Sequence, residues 1–213
     1  MRIGIILPVY QDKDVLEAGL ATLCAGWSVR DIWVVTPEGD ASLEIARRFG
    51  VRTVTTPQAG RALQMNAGAS VCDADVFLFL HADTDLPLTA REAITDAIAK
   101  GAVGGAFARR FDSPSCLLRV TCGLAEVRGR LWGRFFGDQA IFCRRDIFEA
   151  VGGFPEQPLF EDYDFSKAMR GKGKTVLLRP GVVTSARRFD AEGPWMRTWK
   201  DVKLTWSHWR GTD

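Results

Sequence analysis

The sequence predicts an α/β protein with a mostly parallel central sheet flanked by helices. Two observations in residues 1–100 carry this. Three short runs, Ile3–Val9, Ile32–Val35 and Val76–Leu80, are apolar without polar alternation, as in strands buried on both faces. Between them lie stretches with apolar residues at helical spacing, the alternation of βαβ units.

Ile3–Val9 is the first strand, a continuous run rich in isoleucine. Asp14–Cys24 is the first helix, with Val15, Leu16, Leu20 and Leu23 at helical spacing. Ile32–Val35 is the second strand, Ala41–Phe49 a helix and Val51–Thr55 the third strand. Arg61–Cys72 is helical, and Val76–Leu80 is a wholly apolar fourth strand. Thr89–Lys100 is a helix with Ala93, Ile94, Ala97 and Ile98 on one face. Right-handed crossovers set the carboxyl ends of such strands on one rim, where open α/β sheets bind ligands.

The second half changes character. Gly101–Gly105 reads as a turn-rich break. Ala106–Phe111 and Gln139–Cys143 read as strands, and Leu117–Leu131 as a helix carrying several arginines. Phe160–Arg170 is a helix with an acidic start, and Lys174–Leu178 a last strand. No internal repeat interrupts this, so residues 1–193 form one domain. Residues 194–213 form a separate amphipathic helix: Trp195, Trp199, Val202, Trp206 and Trp209 share a face, with Arg197, Lys200, Lys203 and Arg210 flanking it. Packing against the domain or a second subunit suits that face. The other reading is peripheral contact with a membrane surface.

Composition narrows the function classes. The chain has 213 residues, of which 46% are hydrophobic and 25% charged, so it can bury a full core. A net charge of +2 is no nucleic-acid footprint. The charge is uneven: residues 1–100 hold 9 basic and 13 acidic side chains, and residues 101–213 hold 19 and 13. An acidic half facing a basic half suits a site for a metal and an anionic ligand. The 5 cysteines are odd in number and include no CxxC pair, which disfavours a disulfide framework or a zinc site and fits a reducing compartment. Without a signal-peptide pattern or an apolar span, the expected location is cytoplasmic.

Three segments carry chemistry. His81-Ala82-Asp83-Thr84-Asp85 follows the fourth strand, offering carboxylates and an imidazole at the sheet rim. As a plain polar turn it would also be unremarkable in composition. Glu161-Asp162-Tyr163-Asp164 opens a helix behind the turn Gly152-Gly153-Phe154-Pro155. Acidic residues suit a helix start, and a carboxylate held there can also take a proton from a hydroxyl. Gly60-Arg61 opens the third helix, where the helix dipole disfavours a cation, which points to a ligand for Arg61. No GxGxxG or Walker motif occurs, so a Rossmann dehydrogenase or a P-loop ATPase is disfavoured.

The ordered segments IGIILPVYQD, GRALQMNAGA, LFLHADTDLP, FGDQAIFCRRDIFEAVGGFPEQPLFEDYDFS and VTSARRFDAEG resemble the family-2 glycosyltransferases of the GT-A type. They are most similar to the small subgroup associated with radical-SAM and selenium-domain proteins. The resemblance implies a Rossmann-like GT-A domain. It implies an inverting transfer of a sugar from a UDP- or GDP-type nucleotide-diphospho-sugar, with Mn²⁺ or Mg²⁺, to an acceptor hydroxyl. A lipid-linked acceptor would suit the membrane-contact reading of the helix over 194–213. Pro8, Val9, Tyr10 and Asp12 would line the nucleoside site. The metal motif falls on His81-Ala82-Asp83, with Asp83 the first ligand, His81 replacing an Asp, and Asp85 an alternative. Asp162, in the pair Glu161-Asp162, would be the base; Arg61, Arg187 and Arg188 would face the diphosphate. The usual Asp after the second strand is Thr36 here, followed by Pro37, so the base preference is not inherited. Two other readings stay open: a non-catalytic nucleotide-sugar binding module and a nucleotidyltransferase. The missing glycine in Pro8-Val9-Tyr10-Gln11-Asp12 disfavours the second.

Overall fold

In the computed structural model the described residues are 1–187, 189 and 196. The predicted helix over 194–213, apart from Met196, therefore lies outside the described residues, as does Arg188. The strands are β1 (Ile3–Pro8), β2 (Ile32–Pro37), β3 (Arg52–Thr56), β4 (Val76–Phe79), β5 (Thr84–Asp85), β6 (Gly104–Phe111), β7 (Ile141–Arg144) and β8 (Thr175–Thr184). The helices are α1 (Lys13–Gly26), α2 (Ser42–Arg48), α3 (Arg61–Val71), α4 (Ala90–Ala99), α5 (Cys116–Trp132), α6 (Arg145–Val151) and α7 (Glu161–Lys172).

One sheet has the order β3-β2-β1-β4-β7-β6-β8-β5. β1 to β4 are mutually parallel, and β8 is parallel to β6; β7 and β5 run against their neighbours. The chain winds outward from β1 to β3, then returns to place β4 on the other side of β1. That reversal opens a crevice at the carboxyl ends of β1 and β4, the place where open α/β sheets take ligands.

The unbroken apolar runs are explained by two cores, one on each face. Ile3, Ile5, Leu7, Val34, Val76 and Leu78 pack on one side with Leu16, Leu20 and Ile94 of α1 and α4. Ile6, Trp33, Val35, Phe77 and Phe79 pack on the other with Met65, Phe148 and Phe165 of α3, α6 and α7. In the second core Phe154 stacks on Phe165 at 4.2 Å and meets Phe79 edge-on at 4.7 Å. This aromatic knot fixes α7 against β4.

Several expectations needed correction. Gly104 and Gly105 belong to β6 rather than to a turn, because β8 lies too close for side chains. A Cβ on Gly105 would sit 2.0 Å from the Val176 carbonyl oxygen. The last strand runs on to Thr184, where Thr84 of the unforeseen β5 pairs with it. Gln139 lies in a 3-10 turn before β7, and α6 follows β7 directly. No described helix is long and apolar enough to cross a membrane.

Gly105→Ala forces β8 away from β6 and should cost about 1–3 kcal/mol, the usual range for overpacking. Urea unfolding of the variant beside the wild type checks this; an unchanged midpoint contradicts the close approach.

Candidate active site

Two adjoining cavities open on the rim. The first, of about 240 Å³, is lined by Pro8, Tyr10 and Asp12 from the β1 exit, Gly60, Arg61 and Gln64 from α3, and His81 and Asp83 from the β4 exit. The second, of about 390 Å³, shares Arg61, His81 and Asp83 and adds Arg109, Phe136, Asp138, Phe160, Glu161 and Asp162. The three shared residues form the seam between them.

The first cavity is shaped by Gln64. Its side-chain amide donates to the carbonyls of Val9 at 2.8 Å and Val35 at 2.7 Å, and its Oε1 accepts from the Gly60 N–H at 3.3 Å. One buried side chain thus ties the ends of β1 and β2 to the start of α3. Val9, expected to line the nucleoside site, turns its side chain into the core, because the strand alternation continues through it. Asp40 accepts from the N–H groups of Gln11 and Ser42, both at 2.8 Å, holding the loops after β1 and β2 together. Burial alone would raise its pKa, but these hydrogen bonds lower it below the usual carboxylate range.

Arg187 spans the crevice from the far end of β8. It donates to Asp12 at 2.6 Å and lies 3.9 Å from the Asp83 carboxylate. The structure therefore brings Asp12, Asp83 and Arg187 together. Asp85 faces solvent and lines neither cavity, because it points outward from β5. Among the described residues no group of three or more His, Cys, Asp or Glu side chains is arranged to hold a metal. Asp83 and His81 both line the seam; the carboxylate suits Mn²⁺ or Mg²⁺, and the imidazole beside it favours the more borderline Mn²⁺.

The acidic pair at the start of α7 is nearly enclosed. Glu161 is 3% exposed and Asp162 6%. Glu161 forms an ion pair with Arg61 at 3.3 Å. Asp162 accepts from the Gly137 N–H at 2.5 Å and from its neighbour Tyr163 N–H at 2.7 Å. A Cβ on Gly137 would lie 2.7 Å from His81 Nε2 and 3.2 Å from Asp162 Oδ2, so only glycine lets these groups converge. Burial raises both pKa values; for Glu161 the Asp162 charge adds to this, and for both the Arg61 charge opposes it.

The turn before α7 is clamped as well. Asn66 donates to the Phe154 carbonyl and accepts from the Phe154 N–H, both at 2.9 Å. Gly153, at φ 75°, passes so near Asn66 that a Cβ would lie 2.7 Å from its Oδ1. Phe160 then enters α7 at φ 65°, a left-handed conformation that costs a non-glycine residue of order 1–3 kcal/mol.

Sequence reasoning missed the opposite wall. Arg109 and Asp138 form a salt bridge there. Behind them Arg128 stacks on Phe136 at 4.0 Å and donates to Gln139 Oε1 at 3.1 Å. Burial, and then the charge of Arg109, push the Arg128 pKa down to about 10. Gly137-Asp138-Gln139 lies within the FGDQAIF segment, so its position was visible; its partnership with Asp162 was not.

The model for glycosyl transferase family 2 matches residues 4–152. The chain belongs to glycosyl transferase family 2. Among curated proteins no sequence matches. Solved structures share the GT-A type α/β fold of this family-2 chain. The mannosyltransferase PcManGT from Pyrobaculum calidifontis, in complex with GDP-Man and Mn²⁺, superposes with a TM-score of 0.64 at 19% identity, over 86% of this chain and 56% of its own. TarS of S. aureus with UDP-GlcNAc gives 0.60 at 13% identity, over 87% and 58%. The glucosyl-3-phosphoglycerate synthase of Mycobacterium tuberculosis with Mg²⁺ and UDP gives 0.57 at 12%, over 86% and 69%. The chain spans little more than half the length of the first two.

A carboxylate whose pKa is raised on folding binds its proton more tightly in the folded state. Stability from that group is then full below the unfolded value and is lost as pH rises through the folded one. Glu161→Gln removes this loss, so the variant should gain stability relative to the wild type as pH rises above the unfolded glutamate value of about 4.3. Paired urea-unfolding series check it; a difference independent of pH means Glu161 titrates as it does in the unfolded chain.

Proposed function

We propose that this chain is an inverting glycosyltransferase that moves a sugar from a UDP- or GDP-type nucleotide-diphospho-sugar to an acceptor hydroxyl with a divalent metal. The observation that carries the reading is the placement of Asp162. It is a buried carboxylate beside the seam between a polar cavity at the β1/β4 crevice and a larger cavity with aromatic walls.

The first cavity is the donor side, with Pro8, Tyr10 and Asp12 toward the nucleoside. Arg61 and Arg187 face the diphosphate; Arg187, resting on Asp12 near Asp83, is placed to turn to an incoming anion. Asp83 and His81 would hold Mn²⁺ or Mg²⁺, which supplies Lewis-acid stabilisation of the negative charge on the leaving diphosphate. The second cavity receives the acceptor, with Phe136 and Phe160 as apolar walls. The acceptor oxygen attacks the anomeric carbon, the bond from that carbon to the diphosphate oxygen breaks, and the hydroxyl proton passes to Asp162. Burial raises the Asp162 pKa and makes it a stronger base nearer neutral pH. Its two backbone donors hold it in one orientation. GDP-Man and UDP-GlcNAc in the mannosyltransferase and TarS structures support the donor class.

Asp162→Asn should lower turnover by at least about 10²-fold, the usual scale for losing a general base, while donor binding persists. Product analysis with UDP- and GDP-sugars, beside calorimetric binding, tests it. Near-normal turnover in the variant would move the base elsewhere, and release of pyrophosphate would indicate nucleotidyl transfer instead. Asp83→Ala should abolish the Mn²⁺-dependent part of nucleotide binding in the same calorimeter; binding that keeps its full metal dependence removes Asp83 from the metal site.

A further inference from the structure

α5 presents an apolar stripe that lies exposed among the described residues. Its inward face, with Leu118, Ala125 and Gly129 buried, packs on the sheet. On the opposite side Val120, Leu124, Val127 and Leu131 follow one another at intervals of four, three and four residues, so they share one helical face. They are 58%, 65%, 51% and 63% exposed, and Trp132 at the end of the helix is 59% exposed. A contiguous exposed apolar patch of this kind marks an interaction surface.

Charge decides its partner. Arg110, Arg119, Arg130 and Arg179 are all exposed on α5 and the strands it covers. Glu126 is the acid among them, pairing with Arg130 at 2.7 Å and with Arg179 at 2.5 Å. Arg110 and Arg119 line a third cavity of about 380 Å³ together with Ser113, Leu118 and Glu126, directly beside the stripe. Glu126 is already engaged by Arg130 and Arg179, so the two further guanidinium groups beside apolar side chains suit a phosphate attached to a greasy body. A second copy related by a two-fold axis would set the same cationic face against itself. An anionic lipid surface complements it, since each basic residue near the headgroups adds attraction.

We propose that α5 docks this protein on an anionic lipid surface, its Val120–Leu131 stripe entering the headgroup region and Arg110 and Arg119 holding lipid phosphate. Phe111 lines both the third cavity and the acceptor-side cavity, so the docked face lies beside the acceptor entrance. A lipid-borne acceptor hydroxyl is then delivered from the surface itself. That consequence rests on the transfer reaction proposed above; the docking does not.

The test is vesicle co-sedimentation of the full chain, with phosphatidylcholine alone and with phosphatidylcholine mixed with phosphatidylglycerol. The wild type should sediment only with the anionic vesicles, less so as salt rises. Leu124→Glu, and separately the double variant Arg110→Glu with Arg119→Glu, should each weaken this by at least about tenfold. All three positions are exposed, so thermal unfolding and nucleotide binding should match the wild type. A wild type that stays in solution with anionic vesicles overturns the proposal. So do variants that bind as the wild type does, since another segment then carries the binding. A dimer in sedimentation equilibrium that Leu124→Glu splits, without vesicle binding, overturns it in favour of a second copy. Loss of vesicle binding with intact sugar transfer to a soluble acceptor, or the converse, separates the docking from the reaction.

Discussion

The burial of Asp162 against the Gly137 N–H is the constraint around which the rest of the site is built. A carboxylate out of water is tolerable only when it is hydrogen-bonded and near positive charge. Both conditions are met by parts of the chain distant in sequence. Gly137 arrives from the turn before β7, Arg61 from the start of α3, and Arg128 from α5, whose charge also favours the ionised Asp162. The absence of a Cβ at Gly137 is what leaves room for both His81 and Asp162 against its backbone.

Holding that contact requires a rigid frame. The aromatic knot of Phe79, Phe148, Phe154 and Phe165 pins α7 to the sheet, and the Asn66 clamp fixes the turn that leads into it. Among the described residues, three non-glycine residues adopt positive φ: Gln11 at 55°, Ala140 at 48° and Phe160 at 65°. They follow β1, follow the Gly137 turn and precede α7, the three segments that lead into the crevice. Strain of this kind persists where surrounding packing over-determines the backbone, and it gathers where loops must present groups to a ligand.

The crevice is also an electrostatic balance. Arg61 sits on Glu161, Arg187 on Asp12 near Asp83, and Arg109 on Asp138, so each acidic group has a cation within reach. A ligand carrying a diphosphate and a cation exchanges with pairs already present rather than entering an uncompensated field. Low local dielectric strengthens such pairs, so the cost of rearranging them sets how selective the cleft is.

The sequence by itself determined the alternation of strands and helices in the first half. Apolar runs such as Ile3–Pro8 and Val76–Phe79, alternating with helical spacing, encode strands buried on both faces, and no other fold class buries them so. It also located the site segments, because a rim site takes its residues from the chain just after a strand: Asp12 after β1, Asp83 after β4, and the acidic pair at a helix start. What only the tertiary structure decided is how those segments meet. Asp85 and Val9 differ from Asp83 and Tyr10 by one or two positions, yet Asp85 on β5 faces solvent, and strand alternation turns Val9 into the core. The partners Gly137, Arg109, Asp138 and Arg128 carry no local signature, since their roles arise from contacts between β6, α5 and α7 that are remote in the chain. The exposed stripe of α5 was hidden for the same reason. Its apolar spacing predicts a helix equally well whichever face is covered, and only packing shows that Leu118, Ala125 and Gly129 turn inward while Val120, Leu124, Val127 and Leu131 are left to solvent.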